Sequence, residues 1–287
     1  MISDEIDTKI DYENSQFSRI LEAISNSSIY KTYTPELSNQ HKISHIQKVL
    51  LFSQIIAQNE KLDQNEIKIL LASVAFHDCG RKKDRDNGEH GLASAKIAGE
   101  YFRKNIKNPY GIKTEEIGIV QVAIEYHVTK EEFLGQVNET KLKEICRKYN
   151  VNEKEFENVR QISEILKDAD ALDRTRFVSG SNLDFRFLRT KTAKKQTMID
   201  FARKINEEYA NQIINANYHN TQNISNNKIN SLHDIRHKYK KENDGIFNKE
   251  IDLPINVVKE IFNGTLLCKE HIKKDSYSSE CADDFER

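Results

Sequence analysis

The stretch from Glu66 to His77 is apolar nearly all round, with Ile67, Ile69, Leu70, Leu71, Val74, Ala75 and Phe76. A helix without a polar face is stable only when other elements surround it, so this segment predicts a buried central helix. What surrounds it is read from the remainder of the chain. Only three prolines and ten glycines interrupt the sequence, and no apolar run alternates with period two. The dominant period is helical, and the expected fold class is all-α.

Further helices are expected at 13–25, where Phe17, Ile20, Leu21 and Ile24 share a stripe, and at 39–58. Others follow at 89–104, ended by Asn108-Pro109, and at 114–127, 139–149, 153–174, 192–217 and 254–273. The asparagine-rich run 219–231 reads as a mobile loop, and 274–287 as a disordered tail. The irregular stretch 176–191, with Ser179-Gly180-Ser181-Asn182, reads as a hinge or a flank of a site. No internal repeat appears. The expected organisation is an N-terminal helical extension over 1–38, a central helical domain over 39–190, and helices over 191–273 packing on that core.

At 287 residues the chain can bury a sizeable core. Lys+Arg 44 against Asp+Glu 45 gives a formal charge of -1, so no global field recruits nucleic acid or an anionic membrane. Cys79, Cys146, Cys268 and Cys281 form no Cys-x-x-Cys pair, which argues against a disulfide framework or a zinc knuckle. No apolar run approaches the roughly 18 residues of a membrane span. A signal peptide's basic and apolar regions are not found near Asp4, Glu5 and Asp7, and a cytoplasmic location is the default. Export of a bacterial protein by a specialised apparatus would leave no mark on these criteria.

The chemistry concentrates at His77-Asp78, within a scatter of His45, His90, His127 and Asp170. Imidazole nitrogen with carboxylate oxygen suits divalent manganese, iron, zinc or nickel. His41 lies one turn before His45 on the same face and reads as a neighbour of the site or a surface group. For the last carboxylate, Asp168, Asp170 and Asp173 compete. Against the buried stripe Ile162, Ile165, Leu166, Ala169 and Leu172, Asp168 and Asp170 lie equally far off on opposite sides, and Asp173 falls nearer the centre. Periodicity does not choose among them.

Three strings occur in order: Ser44-His45-Ile46-Gln47-Lys48-Val49, Ala75-Phe76-His77-Asp78-Cys79-Gly80-Arg81, and Leu166-Lys167-Asp168-Ala169-Asp170-Ala171-Leu172-Asp173. Over about 40–176 they resemble the HD superfamily of metal-dependent phosphohydrolases. The resemblance implies a helical bundle with extra C-terminal helices, in which His45, His77, Asp78 and Asp170 close around one divalent ion (manganese, iron, zinc, nickel or magnesium). It selects Asp170 by matching Ala169-Asp170 to that family's terminal aspartate. His90-Gly91-Leu92-Ala93-Ser94-Ala95 and Ala123-Ile124-Glu125-Tyr126-His127 resemble the segments that add a second ion in dinuclear members, with Asp78 bridging both. In members with one ion, histidines here contact phosphate or donate protons.

Basic residues flank this set. Arg81, Lys82 and Lys83 follow the His-Asp pair, and Arg174 and Arg176 follow Asp170. Arginine clamps phosphate with a planar fork and lysine as a point charge, so Arg81, Lys82 and Arg174 are candidate substrate contacts. Arg186 and Arg189 lie outside the resembling core, and Lys167 could pair with nearby carboxylates. Cys79 lacks the companions of a cysteine nucleophile and reads as a small buried residue.

The reading that follows is hydrolysis of a phosphate ester or nucleotide, with Asp78, His90, His127 and Arg81 carrying the chemistry. The His-Asn pair of alarmone hydrolases is replaced by Leu172-Asp173, and the Gly-Tyr-Pro of cyclic-di-GMP phosphodiesterases by Val128-Thr129-Lys130. This leaves an unassigned branch of the superfamily. The alternatives are a di-iron oxygenase of similar fold and a non-catalytic nucleotide- or protein-binding helical module.

Overall fold

The computed structural model describes residues 5–10, 15–25, 43–82, 88–130, 133–176, 183–222 and 255–267, with side chains to 212 and 262 in the last two helices. Among these residues every regular element is helical. We number the α-helices α1 (Gln16–Ser25), α2 (Ile43–Asn59), α3 (Gln64–Phe76), α4 (Glu89–Lys104), α5 (Ile117–Tyr126), α6 (Glu139–Lys148), α7 (Phe156–Leu172), α8 (Gln196–Gln222) and α9 (Ile255–Leu267).

The apolar segment forms α3, and every residue from Ile69 to Phe76 is buried. It packs against α1, α2, α4, α5 and α7, so the all-round apolar pattern reflects a central position. The helix begins two residues before its apolar run because Asp63 caps it. Its Oδ1 accepts from the Asn65 and Glu66 amides at 2.8 and 2.9 Å, and Glu66 Oε2 accepts from the Asp63 amide at 2.7 Å. Such a reciprocal cap contributes about 1 kcal/mol. At the other end Phe76 meets Tyr101, Phe102 and Tyr110, with ring centroids 5.1, 5.1 and 5.3 Å away. That aromatic group anchors the point where the chain turns into His77-Asp78.

Helices α3 and α7 each pack on both α2 and α5, while α4 lies along α5. Helix α8 packs on α2 and on the 3-10 turn Asp173–Arg176 that tightens the end of α7, and α9 packs on α8. One cluster of buried apolar side chains runs from Ile6 to Phe262.

Several bounds differ from the sequence reading. Over 114–127 and 153–174 a 3-10 turn precedes each helix, at Thr114–Glu116 and Glu153–Glu155. Helix α8 starts later than 192 because Lys194 and Lys195 bond back to the Thr190 and Thr192 carbonyls at 3.3 and 3.1 Å. It then runs through 219–222, the start of the run read as a loop; 223–231 lies outside the described residues, as do the stretch 268–287 and His41. Residues 177–182 are likewise outside, and Phe185–Phe187 forms a 3-10 turn.

Candidate metal centre

Each candidate ligand lies at or near the end of α3 or of a helix packed against it. His45 is in the first turn of α2, His77 and Asp78 follow α3, His90 opens α4, His127 follows α5, and Asp170 is in the last turn of α7. The turn after α3 needs its glycine: a Cβ on Gly80 would stand 2.5 Å from the Ser94 amide nitrogen and 2.7 Å from the Ala93 carbonyl carbon. The Gly80 amide instead donates to Ser94 Oγ at 2.9 Å, which draws the start of α4, and with it His90, against Asp78. Gly91 plays the same part toward α5, where a Cβ would meet Val128 Cγ2 at 2.5 Å.

The side chains form two adjoining groups. In the first, His45 Nε2 lies 3.2 Å from His77 Nε2, 3.3 Å from Asp170 Oδ1 and 3.8 Å from Asp78 Oδ2. His77 Nε2 lies 3.9 Å from the same Asp170 oxygen. In the second, Asp78 Oδ1 lies 3.2 Å from His90 Nε2 and 3.7 Å from His127 Nε2, which are 3.2 Å from each other. Asp78 therefore turns one oxygen to each group. All six side chains are nearly buried except Asp170, whose side chain is 27% exposed and marks the side open to solvent.

The groups that fix the rings point the same nitrogen inward in three of the four histidines. His77 Nδ1 donates to the Val74 carbonyl at 2.8 Å, and His127 Nδ1 donates to the Ile124 carbonyl. His45 Nδ1 lies 2.7 Å from Asp173 Oδ2. A proton on Nδ1 leaves the Nε2 lone pair for the centre. Imidazole lone pairs and carboxylate oxygens thus converge on shared points, an arrangement that repels itself unless a cation stands between them. The donor set fits a divalent ion: His45, His77 and Asp78, or Asp78, His90 and His127, could hold one.

The three competing aspartates take three different positions. Asp170 faces the centre. Asp168 faces away and ties down the chain after the 3-10 turn, accepting from the Arg189 and Thr190 amides at 3.0 and 2.7 Å and from Arg189 Nη1 at 3.0 Å. Burial pushes its carboxyl pKa up, with Arg189 opposing. Asp173 lies behind His45, completely buried, paired with Lys48 Nζ at 2.8 Å and with Arg176. Despite burial, Lys48 and Arg176 hold its carboxyl below the ordinary range. Lys48 Nζ also donates to Asn206 Oδ1 at 2.6 Å, which ties α8 to this support.

Sequence reasoning missed this role of Asp173. Its place near the centre of the buried stripe was a signal, because a buried carboxylate requires a charged or hydrogen-bonded partner. The partner was not readable, since His45 lies 128 residues away.

Proton affinities differ across the first group. Burial pushes His77 down to about 4. For His45 burial acts the same way, but hydrogen bonds to Asp170 and Asp173 outweigh it and its pKa is raised. Asp170 is held well below the ordinary carboxylate value, against burial, chiefly by His45 and also by His77 and Arg174.

The basic flanks divide. Arg81 Nε donates to Asp78 Oδ2 at 3.0 Å and its Nη2 lies 2.7 Å from His90 Nε2. Arg174 is exposed and near enough to Asp170 to favour its charge, and Lys82 is exposed beyond Arg81. Arg176 and Arg189 are engaged by Asp173 and Asp168, and Arg186 pairs with Asp184 at 2.7 Å. Lys167 donates to the Thr129 carbonyl at 2.6 Å, holding the turn after His127. Lys83 lies outside the described residues. Cys79 is buried, and burial pushes its thiol up to about 12, which removes a thiolate from the chemistry.

Residues 29–227 match the model of the SidE phosphodiesterase (PDE) domain, over more than half of the chain. The chain belongs to that family. The matched span of the SidE PDE family holds all six converging side chains together with Lys48, Asp173 and Asn206, whereas α9 lies beyond it. The family is one of phosphodiesterase domains, so the reaction class is hydrolysis of phosphate esters. No curated protein and no solved structure matches the chain. Among the described residues, no helix is long and apolar enough to cross a membrane.

Proposed function

We propose that this chain is a metal-dependent phosphodiesterase of the HD type, acting on a nucleotide or another small phosphate ester. The observation that carries the reading is Asp78, whose two oxygens face two groups of inward-pointing imidazole nitrogens. His45, His77, Asp78 and Asp170 are the ligands of a first ion, and Asp78, His90 and His127 those of a second. With two nitrogens and carboxylate oxygens, manganese, iron, zinc or nickel suits the set better than magnesium.

A bound divalent ion would polarise a phosphoryl oxygen and lower the pKa of water at the site. The side chains supply the remainder. Asp78, set between the two groups, orients the attacking water, and the buried walls exclude competing solvent. Arg174, exposed beside Asp170, and Lys82 attract the phosphate, and Arg81 offers a planar fork to its developing charge. Where only the first ion is bound, His90 or His127 is left to hand a proton to the leaving oxygen.

Membership in a phosphodiesterase family favours hydrolysis over a di-iron oxygenase and over a non-catalytic module. Asp78→Ala is the test, because this one side chain serves both groups. With manganese and a generic diester such as bis(p-nitrophenyl) phosphate, the variant is expected to lose at least about 100-fold in kcat, the scale of removing one preorganised electrostatic group. Undiminished turnover in Asp78→Ala would overturn the proposal.

A further inference from the structure

The Arg81 guanidinium lies across the second group, between Asp78 Oδ2 at 3.0 Å and His90 Nε2 at 2.7 Å. A guanidinium carries donors only and stays protonated at any working pH, so His90 Nε2 is the acceptor in that contact. An imidazole nitrogen has one in-plane lone pair. The pair that accepts from Arg81 is the pair His90 would give to an ion, and the two bonds exclude each other. Electrostatics adds to the exclusion, because a guanidinium and a divalent ion sharing Asp78 and His90 would repel at short range.

The first group carries no such conflict with Arg81. Arg81 meets it at Asp78 Oδ2, a carboxylate oxygen with lone pairs to spare. The Nε2 atoms of His45 and His77 face each other and the aspartates.

We propose that Arg81 is a built-in competitor of the second ion. Resting protein binds one divalent ion in the first group and takes a second only when an anion draws the guanidinium off His90. Phosphate is such an anion, since its oxygens match the arginine fork better than a single imidazole nitrogen does. The phosphate of a substrate would then complete the centre it reacts in. By thermodynamic reciprocity the second ion raises phosphate affinity by the same factor that phosphate raises ion affinity. The inference rests on the metal reading above and adds to it an order of loading.

The test is equilibrium dialysis against manganese, with ions per chain counted by elemental analysis, with and without inorganic phosphate below the solubility limit. Wild type is expected to hold one ion alone and two with phosphate, with second-ion affinity raised roughly 5–150-fold, the usual range of coupling between sites. Arg81→Gln is expected to hold two without phosphate. Two ions in phosphate-free wild type, or one in wild type whether or not phosphate is added, would overturn the inference and leave the metal reading standing. No ion in wild type would sink both. The phosphate arm needs no variant, so it decides the matter even if Arg81→Gln folds poorly, and Arg81→Lys, which keeps the charge without the fork, should fall between the two.

Discussion

His45, in the first group of the centre, is held from behind by a carboxylate, whereas His90, in the second, has an arginine in front of it. The first arrangement suits a ligand supported from behind. Asp173 fixes the ring, Lys48 and Arg176 fix Asp173, and Asn206 of α8 fixes Lys48. Carboxylates behind metal-ligating histidines orient the ring and raise its basicity. The second arrangement rests on backbone instead: the start of α4 held to Gly80, and the end of α5 that accepts from His127. On the metal reading proposed above, the contrast would make one ion site firm and its neighbour conditional while both share a single aspartate.

The hardest break of that comparison is to delete one histidine from each side. His45→Ala removes a ligand together with the anchor point of the buried support. First-ion affinity is expected to fall by more than the roughly 100-fold that marks the upper range for outer partners. His90→Ala should leave the first ion in place and abolish only the second. Titration calorimetry with manganese on the two variants, with and without phosphate, separates them. Equal losses would mean the groups are one site and the contrast is false.

Asp173→Asn is milder, because the amide keeps the shape and removes the charge behind His45. A 10–100-fold loss in first-ion affinity is expected, with second-ion affinity measured in phosphate nearly unchanged. An unaltered first ion would show that the support is only structural.

Much of this molecule was legible in its sequence because helical periodicity is a local property. The run that became α4 has the expected bounds of 89–104, and the buried α3 was visible from its lack of a polar face. Four of the six side chains that converge could be nominated because three strings carry them in order, and His90 and His127 because two further strings do. What escaped depends on contacts between distant segments. Asp173 differs from Asp168 and Asp170 only by what it meets in space, and Lys48 and Asn206 read as ordinary polar residues until α2, α7 and α8 are packed. Arg81 was legible as a basic group near the centre, but not as a side chain already engaged by Asp78 and His90. The two extra residues at the start of α3 came from the reciprocal cap of Asp63 with Glu66, which begins ahead of the apolar pattern.

A smaller and more diagnostic effect comes from pH. In the first group the stand-in cation is a proton, as the guanidinium is in the second. His45 binds it above the ordinary histidine range because hydrogen bonds to Asp170 and Asp173 outweigh burial, while burial keeps His77 neutral down to about 4. For the ion-free protein, His45 adds stability that is complete below its unfolded pKa of about 6.5 and is lost as pH rises through its raised folded value. His77 does the reverse, withdrawing stability as pH falls from about 6.5 toward 4, since only the unfolded state then takes up the proton. An ion entering the first group must displace the proton on His45 and none on His77. Between about 4 and the raised pKa of His45, first-ion affinity should therefore climb about tenfold per pH unit and level off above it. Calorimetry in two buffers of different protonation enthalpy counts the protons: one released per first ion at pH 6 supports the assignment, and two would mean that His77 is charged as well. The same experiment on Asp173→Asn should release fewer than one, because one of the two carboxylates that hold the proton on His45 has lost its charge.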